Sequence, residues 1–317
     1  MEGAGLVAEV ESRFATLPVA RRREAGLRRR AEVRRAALLL APSLLFLAAF
    51  TYWPIGQVIG QSLTITTFGT DAVGFGLGNF RRLLADASFG HALANNLFYA
   101  LGTILPSVAL ALALAVGLQD ATRFNAALRT VVFFPVLLPL VAAAALFMFV
   151  FLPGIGLLDY HLAKLGVPST NWLGNPDIAL WSLVGLTVWK NAGYYMLFFL
   201  AGLQAIPLDL YEAARIEGAG PWARFRRITL PLLGPTMAFV LVIALVNVIT
   251  QVDHVVVLTE GGPSDSTNLL LFYIYQQAHE NYDYGKAAAA TVLSVAGLLA
   301  LSFLSLRTLE RGIHYEA

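Results

Sequence analysis

Six long apolar segments constrain the fold of this chain more than any other feature of its sequence. They lie at about residues 37–60, 97–117, 130–152, 179–202, 233–253 and 285–306, and each provides the roughly 20 apolar residues with which a helix crosses a bilayer. Because hydrocarbon offers no partners for backbone N–H and C=O groups, each segment is expected to be helical. The sequence therefore predicts an all-α, polytopic membrane protein with six transmembrane helices.

The composition removes several classes of function. Of the 317 residues, 57% are hydrophobic and 13% are charged, whereas a soluble domain usually carries about 25% charged residues. A soluble enzyme is therefore nearly excluded, and the net charge of +2 indicates no nucleic-acid partner. The chain has no cysteine and its five histidines lack paired spacing, so we expect no disulfide, no cysteine nucleophile and no metal site. No catalytic residue is expected in the chain.

The distribution of Lys and Arg predicts the orientation in the membrane. Seventeen of the 22 basic residues lie in the two tails and the even-numbered loops, and three (Arg81, Arg82 and Lys164) lie in the odd-numbered loops. Basic residues favour the cytoplasmic side, so both termini are expected to be cytoplasmic. The expected organisation is a basic N-terminal tail at 1–35, a six-helix membrane domain at 36–306 with a long cytoplasmic loop at 203–232, and a short C-terminal tail at 307–317.

The sequence of this cytoplasmic loop is typical of a helix, a turn and a second helix. Pro207 suits the first position of a helix, and Gly218 or Gly220 can end that helix in a left-handed conformation. Pro221 can begin the second helix, and Pro231 is expected to stop it before the next span. The residues alone leave two interpretations open, a docking site for a soluble partner or an amphipathic loop on the membrane surface.

The segments on the opposite side of the membrane, at residues 61–96, 153–178 and 254–284, are longer and more varied. Leucines at helical spacing in residues 156–166 predict a short interfacial helix. The run Glu260-Gly261-Gly262-Pro263 predicts a turn. Three alternating glycines in residues 74–80 resemble a phosphate fingerprint but have no strand-then-helix context, so a loop is expected there.

Polar residues inside the fourth and fifth apolar segments are candidates for a solute pathway, because polar groups are costly in a membrane. They are Lys190, Asn191, Tyr194, Tyr195, Asn247, Thr250 and Gln251. Aromatic and amide side chains together suit a sugar, although hydrogen bonds between helices would explain them equally well. Lys190 is expected either to bind a phosphate-bearing solute or to pair with a carboxylate such as Asp253.

The cytoplasmic loop resembles the EAA loop of binding-protein-dependent ABC importer permeases. The matching residues are Glu212-Ala213-Ala214, Gly218 and Ile228-Thr229-Leu230-Pro231, with the family's spacing between them. Leu200 to Pro207, Gly261-Gly262-Pro263 and Asn79 to Leu84 resemble segments of the carbohydrate branch, which includes maltose-type and glycerol-3-phosphate-type permeases. One departure is Glu217, where the family commonly has Asp. The resemblance implies that Glu212, Ala213, Ala214, Gly218, Ile228 and Pro231 couple this chain to an ATPase subunit.

The resemblance also implies the fold and the partners. The fold would be that of a type I ABC importer permease in a bacterial inner membrane. The partners would be a second homologous permease, two copies of a cytoplasmic ATPase that bind ATP and Mg, an extracytoplasmic solute-binding protein and membrane lipid. This chain has no GxxxxGK[ST] motif, so it would be no enzyme and hold no cofactor of its own. Asp253 and His254 are expected near the outer end of the fifth span, in contact with the docked binding protein.

Three hypotheses of different classes follow. The first is the permease subunit of an ATP-driven importer for a sugar or related solute, or, as an alternative within this class, for glycerol-3-phosphate or a glycerophosphodiester. The second is a secondary transporter driven by a gradient, whose inverted repeats are not evident here. The third is a membrane scaffold, which would leave the EAA spacing unexplained.

Overall fold

The computed structural model of the chain describes residues 34–66 and 72–310. The N-terminal tail predicted at 1–35 lies almost wholly outside the described residues, and so does most of the C-terminal tail predicted at 307–317. The chain divides into two units after Val58, and the described part of the first unit is helical throughout.

Helices dominate the part of the chain that the structure describes. They are α1 (Arg34–Leu63), α2 (Gly78–Leu84), α3 (Ala87–Gly117), α4 (Arg123–Leu137), α5 (Leu140–Val150), α6 (Leu157–Ala163), α7 (Pro176–Gln204), α8 (Leu208–Ile216), α9 (Pro221–Leu232), α10 (Gly234–Thr250), α11 (Asp253–Leu258), α12 (Leu270–Tyr275) and α13 (Tyr284–Glu310). Wider π-helical turns occur in α1 at Ala48–Tyr52, in α9 at Phe225–Thr229 and after α12 at Gln276–Glu280.

A small antiparallel hairpin follows α1. Strand β1 (Thr64–Thr66) pairs with β2 (Ala72–Phe75), with Thr64 opposite Phe75. The expectation of a plain loop at residues 74–80 is therefore wrong at both ends, because β2 ends at Phe75 and α2 begins at Gly78. Gly74 thus lies in β2, Gly76 lies between the two elements, and Gly78 begins α2, a helix of 7 residues.

The predicted spans correspond to three long apolar helices and three bent helix pairs among the described residues. Helices α1, α3 and α13 are each long and apolar enough to cross a membrane. The pairs α4 with α5, α7 with α8 and α9 with α10 are bent by 102°, 69° and 64°. Up to six spans result if each bent pair counts as one.

The third predicted span, at 130–152, is not one continuous helix. Helix α4 ends at Leu137, Leu138 has an extended conformation (φ −75°, ψ 133°), and α5 begins after Pro139. Proline lacks the backbone N–H that would continue the helix, and it disfavours a helical conformation for the residue before it. The two prolines at 135 and 139 therefore place the 102° break inside the apolar segment.

Helix α7 is the central helix of the second unit, since more than half of its 29 residues are buried. It packs along α3 and also contacts α4, α5 and α10. Tyr99 of α3 and Leu183, Leu186, Met196 and Phe199 of α7 are almost completely buried. Lipid tails are as apolar as these side chains, so close van der Waals packing rather than expulsion of water holds such helices together.

Two predictions for the segments outside the apolar runs are confirmed. The helix predicted within residues 156–166 is α6, which covers Leu157–Ala163. The turn predicted around Gly262 is present, with positive φ angles of 48° at Glu260 and 80° at Gly261.

Candidate functional site

The residues with the EAA spacing form a helical elbow, which we define as residues 208–232. Helix α8 begins one residue later than expected, because Pro207 lies just before it (φ −58°, ψ 133°). Its end is a Schellman motif, in which Gly218 N donates to Arg215 O (3.0 Å) and Ala219 N donates to Ala214 O (2.8 Å). Gly218 has a φ of 80°, a conformation that glycine adopts at little cost. The predicted role of Gly218 in ending this helix is confirmed.

The second arm of the elbow differs from the sequence expectation at its end. Helix α9 begins at Pro221 as predicted, but it continues through Pro231 to Leu232 instead of stopping at the proline. A π-helical turn at Phe225–Thr229 precedes Pro231, and in it Leu230 N donates to Phe225 O, five residues earlier. The helix continues after this turn. The bend of 64° follows α9, where α10 begins at Gly234.

The two arms of the elbow are joined, and they present different residues to the outside. Tyr211 of α8 and Thr229 of α9 share a hydrogen bond of 2.9 Å between their hydroxyls. Ile228 packs against the main apolar core, which anchors α9. Glu212 and Ala213 are exposed, as is Pro231, while Ala214 is half-buried. The elbow is therefore a preformed surface that carries an acidic side chain beside small residues.

The ammonium of Lys190 contacts the end of α4. Lys190 is 8% exposed, and its Nζ donates to the backbone oxygens of Pro135 (3.2 Å), Val136 (3.5 Å) and Leu138 (2.5 Å). The last carbonyls of a helix lack intrahelical partners and carry partial negative charge. Lys190 thus satisfies the carbonyls that the break at Leu138 leaves free.

Of the two alternatives predicted for Lys190, the ion pair with Asp253 is wrong. Asp253 is exposed at the start of α11, and the acceptors at Lys190 are carbonyl oxygens rather than carboxylates in the part of the chain described. Gly193 lies about one turn after Lys190 on α7 and allows α7 and α4 to approach each other closely. A Cβ at Gly193 would lie 2.1 Å from Val132 O of α4.

Some of the other predicted pathway residues lie together. Asn247 of α10 donates to Tyr195 OH of α7 at 3.2 Å. Asn191 and Tyr195 are buried, whereas Tyr194 is half-buried and stacks edge-on against Phe198, with 5.0 Å between the ring centroids. Asn247 and Tyr195 thus form a polar patch between α7 and α10. Tyr194 contacts Tyr195, with 5.7 Å between the ring centroids, and Asn191 lies one turn before Tyr195 on α7.

Two predicted pathway residues lie at the end of α10 and do not join this patch through a side chain. Thr250 is exposed and its hydroxyl donates to Val246 O of its own helix at 2.8 Å. Gln251 ends the helix, where its backbone N–H bonds to Asn247 O. The hydroxyl of Thr250 is thus used locally.

Comparison with known proteins identifies the family. A family model described as "binding-protein-dependent transport system inner membrane component" matches residues 107–315. The chain belongs to this family. The sn-glycerol-3-phosphate transport system permease protein UgpA of Agrobacterium fabrum is 34% identical over 281 residues, which cover 88% of this chain and 95% of the relative. The protein of the same name from Yersinia pestis bv. Antiqua has the same identity and coverage.

Solved structures agree with this family. A bacterial ABC transporter involved in the import of the acidic polysaccharide alginate contains a chain of the same fold, with a TM-score of 0.78 at 24% identity, covering 90% of this chain and 99% of that one. The alginate transporter in complex with its alginate pentasaccharide-bound periplasmic protein gives a TM-score of 0.74, also at 24% identity, over 87% and 94% of the two chains. The predicted ABC importer permease fold is confirmed.

Family membership settles the class of function. The chain is an integral inner-membrane protein and the permease subunit of a binding-protein-dependent ABC importer. Permeases of this family work with a second permease, with ATPase subunits and with a solute-binding protein. A gradient-driven transporter and a membrane scaffold are different classes of protein, so neither alternative is retained.

Sequence reasoning missed a buried polar triad in this permease. Tyr99 OH lies 2.7 Å from Thr187 Oγ1 and 2.8 Å from His254 Nε2, which connects α3, α7 and α11. His254 is completely buried, so the expectation that it contacts a docked binding protein is wrong. No pattern in the sequence pairs these residues, because 155 positions separate Tyr99 from His254.

A second missed feature is a group of paired polar residues around the start of α3, which we call the ion-pair cluster. It consists of Asn79, Arg82, Asp86, Tyr273, Asp283 and Lys286. Asp86 caps α3 by accepting a bond from Ser88 N (3.0 Å), accepts a bond from Tyr273 OH (2.7 Å) and forms an ion pair with Lys286. Burial raises the pKa of the Asp86 carboxyl, but the hydrogen bonds from Lys286, Tyr273 and Ser88 N outweigh burial and hold the pKa below its ordinary value of 3.8.

The rest of the ion-pair cluster ties α2 to its neighbours. Arg82 bonds Asp283 through both terminal nitrogens (2.8 and 3.2 Å) and Asn79 Oδ1 at 2.7 Å. Asn79 in turn donates to the backbone oxygens of Ser62 and Thr64 at 3.0 and 2.9 Å. Each charged side chain in this cluster therefore has an oppositely charged partner within the chain.

Asp159 organises the segment between α5 and α7. Its carboxylate accepts bonds from Gly154 N (2.7 Å), Ser169 Oγ (2.5 Å) and Trp172 Nε1 (2.6 Å). These bonds, with that from Gly154 N foremost, lower the pKa of Asp159 below its ordinary value of 3.8. Asp159 thus acts as a structural acceptor, and no group of three His, Asp or Glu residues in the described chain could hold a metal ion.

Proposed function

We propose that this permease imports a neutral, hydroxyl-rich solute of the sugar class. The observation that carries the proposal is the bonding of Lys190, whose ammonium donates hydrogen bonds to three backbone carbonyl oxygens of this chain. Without that cation, the predicted pathway residues of this chain are all uncharged. Neutral amides and phenols match the hydroxyl groups of a sugar better than they match a dianion.

The polar patch between α7 and α10 is the proposed contact surface for the solute. Tyr194 offers an aromatic face that can stack on the C–H face of a sugar, as aromatic rings provide a large apolar contact. Asn191 and Asn247 each carry both donors and acceptors for hydroxyl groups. The bond between Asn247 and Tyr195 fixes the relative position of the two helices at this point.

The elbow is the proposed coupling surface for the ATPase subunits. Exposed Glu212 would accept charge-assisted hydrogen bonds from a basic partner side chain, and Ala213, Ala214 and Gly218 would permit close approach. Ile228 would anchor the second arm in the apolar core, and Pro231 would present an exposed surface in its last turn. ATP and Mg would bind to the ATPase partner, whose hydrolysis drives transport, and this chain would hold no cofactor.

The orientation follows from the same proposal. The elbow contains four arginines, Arg215, Arg224, Arg226 and Arg227. Basic residues favour the cytoplasmic side of a membrane, so the elbow is assigned to that side. Both termini are assigned to this cytoplasmic side, and the ion-pair cluster is assigned to the opposite side, where the binding protein would dock.

A second candidate solute is glycerol-3-phosphate or a glycerophosphodiester. It is favoured by the relatives named as sn-glycerol-3-phosphate permeases, which are 34% identical to this chain. Because Lys190 is occupied, a phosphate would have to be recognised by the binding protein or by the second permease.

The test is substrate-stimulated ATPase activity of the whole complex in nanodiscs with its binding protein. We expect stimulation by neutral sugars, and we expect Asn247→Leu to change the order of preference among them. Thr250→Val is the matched control, because its hydroxyl bonds only its own helix. Stimulation by phosphorylated polyols alone would select the second candidate, and no effect of Asn247→Leu on any solute would remove the proposed contact surface.

A further inference from the structure

The elbow forms one wall of a half-open cavity that the proposed function does not use. The cavity has a volume of about 490 Å³ and lies between the ends of α3 and α7 on one side and both arms of the elbow on the other. Its polar lining residues are Gln119, Asp120, Gln204, Tyr211, Arg215, Arg224 and Thr229. Cavities of this size commonly hold small ligands.

The charged groups of the cavity are unbalanced. Two guanidinium groups line it, against the single carboxylate of Asp120. In the described residues, no ion pair joins Asp120 to either arginine, since the salt bridges found there involve other residues. The hydroxyls of Tyr211 and Thr229 are bonded to each other. The site therefore has a surplus of positive charge and of N–H donors.

One of these donors is buried without a partner. Arg224 Nε is inaccessible to solvent and makes no hydrogen bond with any residue that the structure describes. A buried donor that is left unpaired is costly, and more so when the group is charged. The side chain of Arg224 also lines the cavity, and no ion pair among the described residues neutralises its guanidinium or that of Arg215. These two arginines are the strongest indication of an anionic ligand.

We propose that this cavity binds a phosphate group, supplied either by an anionic lipid headgroup or by a soluble phosphate. Guanidinium groups match phosphate oxygens in geometry and charge, and two of them suit a doubly charged anion. This assignment goes beyond the proposed function, because the ligand is distinct from the transported solute. Since α8 and α9 both contribute to the walls, a bound phosphate would hold the elbow against α3 and α7 and so regulate coupling.

The test measures binding to the whole complex, with the nucleotide sites filled by a non-hydrolysable ATP analogue. One arm counts phosphatidylglycerol molecules retained after extraction from nanodiscs, by native mass spectrometry. The other arm measures radiolabelled inorganic phosphate by equilibrium dialysis in phosphatidylcholine nanodiscs. Arg215→Gln and Arg224→Gln are compared with Arg226→Gln, a matched control from the same arm that does not line this cavity.

We expect wild type and Arg226→Gln to bind one of the two probes, and each cavity variant to bind it about tenfold more weakly, which is the effect of one lost charge-assisted bond. Retention of lipid alone would assign the headgroup as the source, and binding of inorganic phosphate would assign the soluble anion. Absence of both probes from the wild-type complex would overturn the proposal. So would an equal loss in Arg226→Gln, and Arg215→Gln decides the matter should Arg224→Gln not assemble.

Discussion

The ion-pair cluster and the elbow lie at the two ends of α3, and they differ in whether their charged side chains are paired within the chain. Helix α3 has 31 residues, so its ends are about 46 Å apart. At its first end, Asp86 pairs with Lys286 and Arg82 pairs with Asp283. Near its last end, the described residues show no such pairs for Glu212, or for Arg215 and Arg224, which line the cavity under the elbow.

The charged groups of the ion-pair cluster therefore stabilise the fold, whereas those of the elbow are available to bind other molecules. Paired groups at the first end already have their partners and connect α2, α3, α12 and α13. The charged groups of the elbow are exposed or line the cavity and form no ion pair among the described residues, so they are available to partners from outside this chain. The comparison predicts that substitutions at the elbow reduce coupling, whereas substitutions of the paired groups reduce stability.

The largest effect is expected at Glu212. Glu212→Ala should reduce uptake by the complex more than tenfold while the permease still inserts, because a charge-assisted bond to the ATPase would be lost. Uptake and co-purification of the ATPase subunit are the measurements. Glu217→Ala, an exposed acid at the end of the same helix, is the control and should transport normally. Normal uptake and normal ATPase association in Glu212→Ala would show that the elbow does not couple through this carboxylate.

The second largest effect is a loss of stability, and it is expected at Lys190. This residue is a cation inside the membrane domain, and its hydrogen-bond partners lie within the chain. Lys190→Met should lower the free energy of unfolding by about 2–3 kcal/mol, because the carbonyls at the end of α4 would be left without a donor. The thermal midpoint of the purified permease pair measures this change. Lys164→Met removes an exposed lysine beside Tyr160 and should have little effect. Equal midpoints for wild type and Lys190→Met would mean that the bonds to α4 do not stabilise the fold.

Local signals explain why much of the elbow could be predicted from the sequence. Proline just before a helix and glycine after its end act within a few residues, so Pro207, Gly218 and Pro221 were enough to place both arms. The error at Pro231 is also local in origin. The π-helical turn before it accommodates a proline that normally ends a helix, and no simple sequence pattern announces such a turn.

Long-range contacts explain what could not be predicted. The partners of Lys190 are main-chain oxygens some 50 residues earlier in the chain, and every residue has such an oxygen. The break at Leu138 had visible signals in Pro135 and Pro139, but an apolar window averages over them. The polar triad of Tyr99, Thr187 and His254 depends on how three helices pack, which the apolar pattern of each helix does not specify.

A smaller effect is expected in the ion-pair cluster. Lys286→Met should lower the stability of the permease by about 2 kcal/mol, since Asp86 would lose a charged partner while remaining partly buried. Uptake at permissive temperature should remain normal, because the cluster is assigned no role in coupling. Arg81→Met is the control on the same side, as Arg81 is exposed and lies outside the cluster. A loss of uptake without a loss of thermal stability would contradict the division between the two ends of α3.

The smallest effect is expected at Asp159 and appears only in acid. The pKa of Asp159 is lower in the folded chain than its ordinary value of 3.8, so its bonds stabilise the fold fully above that pH. Their contribution is lost as the pH falls below 3.8 toward the pKa of the folded state. The difference in thermal midpoint between wild type and Asp159→Asn should therefore be constant near neutral pH and shrink in acid. A difference that is independent of pH at Asp159 would mean that its charge does not matter. Because the acceptor bonds of Asp159 all lie within one segment, this loss should leave the elbow and its coupling unchanged, as the separation of paired from available charges requires.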